Sequence, residues 1–393
     1  MNGGPLVGLT VIELASFISG PDAAMLLADL GADVVKVEPP GTGEPFRAWG
    51  ERQGAIRPQF AAYNRGKRAV TLDVREPAGR EVYLRLAATA DVVVENFRPG
   101  TADRLGVGYD AIRRTNAGVV YCAVTGMGSS GPYRDRPTYD AIGQAMSGLW
   151  SVFTDLREPR PVGPPLSDQL TGLYAAYGIL GALYSRERGG EGQRIEVSML
   201  SASIAFMVEP ATNYLLTGEI GDAGARPRRS QSYAFVASDG LPLAIHLSSP
   251  PKFWEALAQA VGRPDLVRDP RFADKADRVR NYDDLREILG EIFRTRPRAE
   301  WLALLERHDV PAAPINNIAE ALSDPQVAHL GLVREFGHGE RATRLVGSPV
   351  TFSATPGDGD LAPPEIGEHN AEVFGRLGYD VDELARLRAQ GVV

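Results

Sequence analysis

The sequence is poor in cysteine and carries no excess of positive charge. Cys122 is the single cysteine among 393 residues, so the chain cannot form an internal disulfide and a reducing compartment is expected. Acidic residues outnumber basic ones and give a formal net charge of −8. Because binding along a phosphate backbone needs a basic surface, this balance argues against a nucleic-acid partner.

Long apolar runs are also missing. The uncharged stretch 115–133 is interrupted by glycines, serines and a proline, and the stretch 169–185 is short for a membrane span of about 20 residues. The N-terminus has neither the basic start nor the apolar run of a signal peptide. We therefore expect a cytoplasmic protein without a membrane partner.

Metal-site spacing and a hydrolase signature are absent too. All five histidines lie beyond residue 245, and no group of histidine, cysteine and carboxylate residues has the spacing of a metal site. Around Ser130, Pro132 replaces the second glycine that a nucleophile elbow needs. The sequence therefore predicts neither a metal centre nor a serine-hydrolase site.

Strand-like and helix-like patterns alternate through the first half of the chain. Short β-branched runs are each followed by an apolar pattern of helical period. The predicted strands are 9–14, 34–37, 70–74, 92–95, 119–124 and 194–197, and the predicted helices are 22–30, 78–88, 139–152, 169–187 and 200–208. This alternation predicts an α/β fold with a large, Rossmann-like, doubly wound domain.

The pattern changes after residue 215. Residues 216–230 are rich in glycine and arginine and predict a linker, and residues 231–328 predict a smaller α+β domain. Residues 329–393 begin with a glycine- and proline-rich stretch and end in a helical segment at 370–390. The large domain therefore has its first part in residues 1–215, and long linkers join the two domains.

Residues 126–131 match the G-x-G-x-x-G pattern of dinucleotide-binding loops and follow a predicted strand. Pro132 comes directly after them, and no βαβ unit of the usual length resumes. An NAD site is therefore the weaker interpretation. The alternative is a tight loop whose glycines let the backbone approach a ligand or another chain closely.

Asp168 stands at the start of the long apolar helix, in the sequence GPPLSD. In one interpretation Ser167 or Asp168 caps that helix, because short oxygen side chains bond to its unpaired N–H groups. In the other, the helix dipole keeps Asp168 ionised as a nucleophile, and nearby N–H groups hold an oxyanion. The two interpretations are compatible. Asp140 is predicted in the first turn of the preceding helix.

A loop with two arginines follows the strand 92–95. Phe97, Arg98 and Arg104 lie beyond the carboxyl end of that strand, where open α/β sheets bind ligands. Guanidinium groups pair with phosphates, and an aromatic ring packs against a base or a pantetheine chain. The loop suits a phosphorylated purine ligand. The alternative is that these arginines lie on a solvated helix face.

Taken in order, these segments resemble the class III CoA-transferases, the family of formyl-CoA and carnitine CoA-transferases, whose fold 2-methylacyl-CoA racemases share. The resemblance runs nearly end to end. It rests on SGP (19–21), LLADLGADVVKVE (26–38), NRGKR (64–68), LD (72–73), ENFRPG (95–100), GMGSSGP (126–132), YD (139–140), Asp168 and GEH (367–369).

The resemblance implies an acyl-CoA:carboxylate CoA-transferase in which Asp168 is the nucleophile and Asp140 positions groups beside it. Asp168 would form an acyl anhydride with the donor and then a thioester with CoA, before the acceptor acid reverses these steps. CoA and acyl-CoA are substrates, so no permanently bound cofactor is implied. The partners are an acyl-CoA donor and a small carboxylic acid. The residues implied to contact CoA or the acyl group are Ile18, Leu72, Arg75, Asn96, Phe97, Arg98, Arg104 and Tyr139.

The resemblance also implies an interlocked homodimer, in which each chain forms a ring threaded through the other. In that arrangement the C-terminal segment returns to the large domain.

Two departures from the family pattern bear on the substrate. Formyl-CoA transferases have a glutamine where this chain has Ile18, and a glycine-rich flap that residues 226–233 do not match, which disfavours formyl-CoA and oxalate. Racemases have a histidine at the position of Tyr139, so a two-base proton exchange would lack an imidazole. An acyl-CoA racemase or isomerase and a non-catalytic CoA-binding protein remain as alternatives. Further candidates for contact with the substrate acid are Arg47, Trp49, Arg228 and Arg229.

Overall fold

The computed structural model describes residues 3–51, 57–248, 250–357 and 359–393. The strands are β1 (Thr10–Leu14), β2 (Asp33–Glu38), β3 (Lys67–Thr71), β4 (Val92–Glu95), β5 (Val120–Thr125), β6 (Arg194–Ser198), β7 (Ser232–Val236), β8 (Pro242–His246), β9 (Ala312–Pro314), β10 (Val333–Phe336) and β11 (Thr343–Val346).

The α-helices are α1 (Ser19–Asp29), α2 (Pro58–Asn64), α3 (Pro77–Ala87), α4 (Thr101–Leu105), α5 (Tyr109–Arg113), α6 (Asp140–Ser147), α7 (Leu149–Phe153), α8 (Leu166–Glu187), α9 (Met199–Phe206), α10 (Val208–Thr217), α11 (Ala225–Ser230), α12 (Pro251–Ala260), α13 (Lys275–Arg280), α14 (Tyr282–Phe293), α15 (Arg298–Arg307), α16 (Ile318–Leu322), α17 (Pro325–His329), α18 (Asn370–Arg376) and α19 (Val381–Ala389). Short 3₁₀ helices lie at Pro45–Ala48, Pro264–Val267 and Gly339–Arg341. Within the described ranges, no helix has both the length and the apolar character needed to cross a bilayer.

The larger of two compact units comprises residues 1–150, 160–215 and 331–393 and contains a six-stranded parallel sheet. The strand order is β3-β2-β1-β4-β5-β6. Neighbouring residues on a strand are both buried, as Val11 and Ile12 show on β1, because helices cover both faces of the sheet. Cys122 on β5 is fully buried, and this burial raises the pKa of its thiol.

Different residue types cover the two faces of this sheet. On one face α1 and α8 pack closely through small side chains such as Ala24 and Ala175. On the other face α3 contributes Val82 and Leu86, and α18 contributes Phe374. The predicted doubly wound α/β domain is confirmed.

The strand order reverses direction between β1 and β4, which are neighbours in the sheet although they are distant in sequence. In doubly wound folds the crevice for ligands lies beyond the carboxyl ends of the strands at this switch point. Here it is bordered by the loop after β1, which begins at Ala15, and by the loop after β4, which begins at Asn96.

The C-terminal segment packs against the edge of the same sheet. The backbone N–H of His369 donates to the carbonyl of Ala69 at 2.9 Å, and the Asn370 side chain accepts from the N–H of Thr71 at 2.8 Å. The N–H of Asp73 donates to the carbonyl of Val392 at 2.8 Å. These bonds tie residues far apart in sequence into the larger unit.

The smaller unit comprises residues 151–159 and 216–330. Its antiparallel sheet, in the order β7-β8-β9, packs against helices through an aromatic core. The Phe235 and Phe293 rings stack with centroids 4.6 Å apart, and Trp301 lies 4.9 Å from Phe293. The Trp301 indole N–H donates to the Phe293 carbonyl at 2.8 Å, so the core contains no unpaired indole at that position.

Several predicted boundaries are wrong for physical reasons. The helix predicted at 139–152 is split into α6 and α7 because Gly148, with φ of +85°, ends α6 in the left-handed conformation. The third strand begins at Lys67 rather than residue 70, and the charge of Lys67 is accommodated there because the side chain is buried in an ion pair with Glu13. The proposed linker contains α11, and the glycine- and proline-rich stretch contains the β10–β11 hairpin.

Candidate functional site

A cavity of about 270 Å³ lies at the switch point of the larger unit. It is lined by residues from the loops after β1, β4 and β5 and from the starts of α6, α8 and α9, namely Ser16, Phe17, Ser19, Asn96, Phe97, Arg98, Pro99, Val124, Thr125, Gly126, Arg134, Arg136, Pro137, Thr138, Tyr139, Asp168 and Met199. The wall therefore combines arginines, aromatic rings and one buried carboxyl group.

Asp168 is the third residue of α8, and its side chain is 7 % exposed on the cavity wall. The residue before the helix is Pro165, which has no side-chain cap, so the prediction that Ser167 or Asp168 caps α8 is wrong. Asp140 supplies the acceptor instead. Its Oδ1 atom accepts from the N–H of Ser167 at 2.9 Å and from the N–H of Asp168 at 3.3 Å. Asp140 thereby occupies both of these N–H groups, and the expectation that nearby N–H groups hold an oxyanion stays a prediction.

Asp140 is fixed by its own helix and by a close contact between helices. The Gln144 amide donates to Asp140 Oδ2 at 2.6 Å, and the Trp150 indole donates to Gln144 at 3.1 Å. A Cβ atom on Gly143 would lie 2.4 Å from Ser167 Oγ, so only glycine lets α6 come this close to α8. The sequence thus places a second carboxylate beside Asp168 with a defined orientation.

Burial, together with the negative charges of Asp140 and Asp22, raises the pKa of Asp168 to about 7. A side-chain hydrogen bond with Ser19 opposes this shift. The expectation that the helix dipole simply keeps Asp168 ionised is therefore wrong: near neutral pH both protonation states are populated. A carboxyl group with its pKa close to the working pH, inside a cavity, is typical of an active site.

The first loop is held against the loop after β4. The Asn96 side chain accepts from the N–H of Ser16 at 2.9 Å and donates to the Ser16 carbonyl at 2.7 Å. This two-bond contact fixes the segment that carries Phe17 and Ser19. The Phe17 ring meets the Tyr139 ring edge-on at 5.7 Å, so the two rings together form one wall of the cavity.

Positive charge gathers at the other wall. Arg98, Arg134 and Arg136 line the cavity. A Cβ atom on Gly100 would lie 3.4 Å from Arg104 Nη1 and 3.5 Å from Arg134 Nη2, so these two guanidinium groups both lie beside that glycine. Across the residues the structure describes, no carboxylate comes within salt-bridge distance of Arg98, Arg104 or Arg136. Such a group of arginines suits phosphate oxygens.

The structure brings Asn96, Phe97, Arg98, Tyr139 and Asp168 to one cavity, with Asp140 directly behind. It does not bring the other predicted contact residues to the wall. Ile18 precedes α1, Leu72 is buried in the apolar core, Arg75 pairs with Asp73 at 2.7 Å, and Arg104 bonds to Thr101 at 2.8 Å. Their contacts with CoA stay predictions.

The four further candidates for contact with the substrate acid lie elsewhere. Arg47 forms two hydrogen bonds to Glu38, at 2.7 and 2.6 Å, so its guanidinium group is already engaged. Trp49 is exposed and packs on Phe46. In the smaller unit, Arg228 pairs with Asp222 at 2.6 Å and Arg229 with Glu219 at 4.0 Å.

Sequence reasoning missed Ser19, Arg134 and Arg136. Ser19 belongs to the SGP motif, but the sequence does not indicate its contact with Asp168 because the two residues are distant in the chain. The two arginines stand two residues apart in PYRDRP, between prolines, directly after the glycine-rich loop. That spacing in a ligand-side loop was a usable signal.

The glycine-rich loop itself is a tight turn. After β5 ends at Thr125, the next helix begins only at Asp140, so no helix N-terminus stands behind the loop to bind a pyrophosphate. A Cβ atom on Gly126 would lie 2.3 Å from Thr138 Cβ, and Gly128 has φ of +101°. These glycines serve close backbone approach, and the dinucleotide interpretation is not supported. The described residues also contain no cluster of His, Cys, Asp and Glu suited to a metal ion.

Comparisons with known proteins identify the family. Residues 6–370 match the model of CoA-transferase family III. The chain is 35 % identical over 396 residues to the succinyl-CoA–D-citramalate CoA-transferase of Chloroflexus aurantiacus, covering 99 % of this chain and 98 % of that one. It is 35 % identical over 385 residues to the succinate–glutarate CoA-transferase of Agrobacterium fabrum, covering 95 % and 96 %.

A solved structure shows the same fold. The CaiB/BaiF family protein of Brucella suis superposes with a TM-score of 0.85 at 35 % identity, covering 95 % of this chain and all of that one. The family match over nearly the whole length, together with relatives above 30 % identity, decides the assignment. The chain belongs to CoA-transferase family III and is an enzyme of that family.

Proposed function

We propose that this enzyme transfers coenzyme A from an acyl-CoA thioester to a free carboxylic acid, with Asp168 as the covalent nucleophile. The observation that carries the proposal is the position of Asp168, whose buried carboxyl group lines the same cavity as the arginines at the sheet's switch point. A nucleophile near a polyphosphate-binding surface is the arrangement that a CoA thioester requires.

The exchange proceeds through two kinds of covalent intermediate on Asp168, an acyl anhydride and a CoA thioester. The ionised carboxylate attacks the donor thioester carbonyl, forming an acyl anhydride and releasing the CoA thiolate. The thiolate attacks the Asp168 carbonyl, which gives an aspartyl–CoA thioester and the free donor acid. The acceptor carboxylate then attacks that thioester, which forms a second anhydride with Asp168 and releases the thiolate. The thiolate attacks the acceptor carbonyl of this anhydride, giving the new acyl-CoA and the free Asp168 carboxylate. Each step passes between activated carbonyls, which divides one difficult exchange into easier ones.

Asp140 and Ser19 prepare Asp168 for this role. Because Asp140 occupies the N–H groups of Ser167 and Asp168, the Asp168 carboxyl group is not used as a helix cap. The negative charge of Asp140 raises the pKa of Asp168 and makes the ionised form more basic. The Ser19 hydrogen bond orients the carboxylate and stabilises its ionised form.

The CoA moiety is assigned to the arginine side of the cavity. Arg98, Arg134 and Arg136 would pair with phosphate oxygens, and Phe97 offers an apolar surface for the pantetheine chain. The acyl group would lie toward Phe17 and Tyr139, whose rings meet edge-on. No metal or redox group takes part in the proposed steps.

A racemase reaction is not proposed. Exchange of an α-proton needs two positioned bases. Among the residues that line the cavity there is no histidine, and the phenol of Tyr139 stands at the position where the resemblance expects an imidazole in racemases.

We further propose that the enzyme is a cytoplasmic, interlocked homodimer. Leu173, Tyr177 and Tyr184 lie on one face of α8 and are each more than half exposed, which is unusual for a run of large apolar side chains. A second copy of the chain would cover them. Light scattering coupled to size exclusion should give twice the chain mass, and a monomer would contradict the proposal.

The relatives suggest a substrate class. One is named for succinyl-CoA and citramalate and another for succinate and glutarate, all of them dicarboxylic acids or their thioesters. We propose succinyl-CoA as donor and a small dicarboxylic acid as acceptor.

The test is to incubate the enzyme with succinyl-CoA and other acyl-CoAs and to record peptide masses with and without hydroxylamine. A CoA or acyl adduct is expected on the peptide carrying Asp168, cleaved by hydroxylamine and absent in Asp168→Asn. Asp283→Asn, which changes an exposed acid in the smaller unit, is the control and should be labelled like the wild type. Transfer to an acceptor without any adduct at Asp168 would contradict the covalent mechanism. Exchange of the α-proton in deuterated water would favour the isomerase instead.

A further inference from the structure

A chain of buried ion pairs lies in the larger unit next to the first loop, the segment 15–18 between β1 and α1. Lys67 Nζ lies 2.6 Å from Glu13 Oε2, Lys36 Nζ lies 2.6 Å from Glu13 Oε1, and Lys36 Nζ also lies 2.6 Å from Glu44 Oε1. All four side chains are at most 1 % exposed. Their charges alternate in sign from one end of this ion-pair chain to the other.

The sheet register explains how such an arrangement arises. Glu13 on β1 is directly opposite Lys36 on β2, and parallel strands place such partners on the same face. Lys67 begins β3, the next strand along. Replacing buried ion pairs by apolar side chains is often neutral or stabilising, so three such pairs in succession are weak evidence for a role in stability alone.

The end of the ion-pair chain reaches the cavity wall. Glu44 Oε2 accepts a hydrogen bond from the N–H of Phe17 at 2.6 Å. Glu44 is itself held, since its own N–H donates to Glu38 at 3.1 Å. The carboxylate of Glu44 thus joins a buried lysine on one side to the backbone of a cavity residue on the other.

Phe17 needs such a restraint. Its φ of +66° lies in the left-handed region, which is costly for a side chain other than glycine, asparagine or aspartate. Two contacts oppose that cost, namely Glu44 on the Phe17 N–H and Asn96 on Ser16. The conformation turns the Phe17 ring toward Tyr139 and is followed directly by α1, whose first residue, Ser19, bonds to Asp168.

We propose that Glu44 is a positioning residue for the transferase reaction, which holds Phe17 in its left-handed conformation and thereby places the Phe17 ring and the Ser19 hydroxyl around Asp168. This inference rests on the proposed function for its kinetic consequence, but the conformational part stands apart from it. Strained backbone at functional sites persists where the surrounding contacts determine it, as they do here.

The decisive variant is Glu44→Gln. A carboxylate offers two acceptor oxygens, one for Lys36 and one for the Phe17 N–H, whereas an amide offers one. We expect kcat with succinyl-CoA to fall at least 10-fold and KM for succinyl-CoA to change less than threefold. In hydrogen–deuterium exchange, the peptide covering residues 15–20 should exchange at least 10-fold faster. Should this variant fail to fold, Glu44→Asp, which stays ionised but is one methylene shorter, carries the same expectations.

The control is Asp29→Asn. It removes another buried ion pair in the same unit, Asp29 with Arg65 at 2.6 Å, which does not touch the first loop. This variant should keep kcat within twofold and leave exchange of residues 15–20 unchanged. Equal effects of the two variants would show general loosening and overturn the proposal.

A double substitution separates conformation from charge. Glycine adopts positive φ without strain, so Phe17→Gly removes the need for the restraint. In that background Glu44→Gln should lower kcat less than twofold further. A full additional 10-fold loss would overturn the proposal. If the wild type forms no Asp168 adduct, the proposed function is wrong. If hydrogen–deuterium exchange of residues 15–20 is unchanged in Glu44→Gln, this inference alone is wrong.

Discussion

The site region of the larger unit and the core of the smaller unit are built from different residues. Around the cavity, several buried side chains are ionic or acidic, with Glu13, Lys36 and Glu44 in ion pairs and Asp168 with its pKa raised to about 7. The core of the smaller unit is aromatic, with Phe235, Phe293 and Trp301 in ring contact.

The comparison teaches where each unit gains and loses free energy. Apolar burial stabilises by about 25 cal/mol per Å², whereas burying a charged group costs free energy that its partner only partly returns. The buried charged residues near the cavity therefore add little to the free energy of unfolding, and we interpret them as serving the reaction instead. Substitutions in the two regions should accordingly separate activity from stability.

The sharpest separation is expected from Asp168→Asn. Turnover should fall by more than about 10³-fold because the proposed nucleophile is lost. Stability should not fall: a folded-state pKa raised from 3.8 to about 7 means that ionisation of Asp168 reduces stability as pH rises through that window. The variant should gain stability relative to wild type at pH 8 and not at pH 4. Thermal unfolding at both pH values and turnover with succinyl-CoA test this, and an unfolded variant would break the comparison.

The opposite separation is expected from Phe293→Ala. Phe293 is fully buried between Phe235 and Trp301, so its truncation should lower the free energy of unfolding by about 3–5 kcal/mol. Phe293→Leu keeps most of the volume and should cost no more than about 1.5 kcal/mol. Urea titration measures both. Turnover per folded molecule should stay within about threefold, and a larger kinetic loss than for substitutions at the cavity would contradict the division of roles.

A smaller effect is expected from the arginine wall. Loss of a charge-assisted hydrogen bond to phosphate costs about 1.5–3 kcal/mol, so Arg98→Ala should raise KM for acyl-CoA by at least about 10-fold and leave kcat nearly unchanged. Arg280→Ala, on the surface of the smaller unit, is the matched control. Acetyl-pantetheine lacks the nucleotide phosphates. If Arg98→Ala raises KM for acetyl-pantetheine as much as KM for acyl-CoA, the arginine does not bind those phosphates.

The smallest effect is a shift in pH dependence. Asp140→Asn removes the negative charge that raises the pKa of Asp168 but keeps an oxygen acceptor for the N–H groups of Ser167 and Asp168. In the proposed mechanism the ionised form of Asp168 is the nucleophile, so kcat/KM of the wild type should fall as pH drops through about 7. The variant's profile should move to lower pH. A move to higher pH would contradict the assigned electrostatics.

Sequence patterns predicted the parallel sheet and the nucleophile candidate, since both depend on local runs or on the order of motifs. They failed where distant residues meet. The cap of α8 comes from Asp140, 28 positions before Asp168, and nothing in either helix alone indicates it. Glu44 and Phe17 form their contact across 27 positions. The predicted third strand, 70–74, leaves out Lys67, because the burial of this charge depends on an ion pair with Glu13 in another strand.

The buried thiol of Cys122 makes this enzyme convenient for labelling. It is the single cysteine in the sequence, it lies inside the sheet, and burial disfavours its thiolate, the form that reacts with maleimides and iodoacetamides. The folded wild-type chain should therefore not react with such reagents. One cysteine introduced at an exposed position such as Tyr139 would then carry a single fluorophore or spin label at the mouth of the cavity, without removal of any natural thiol.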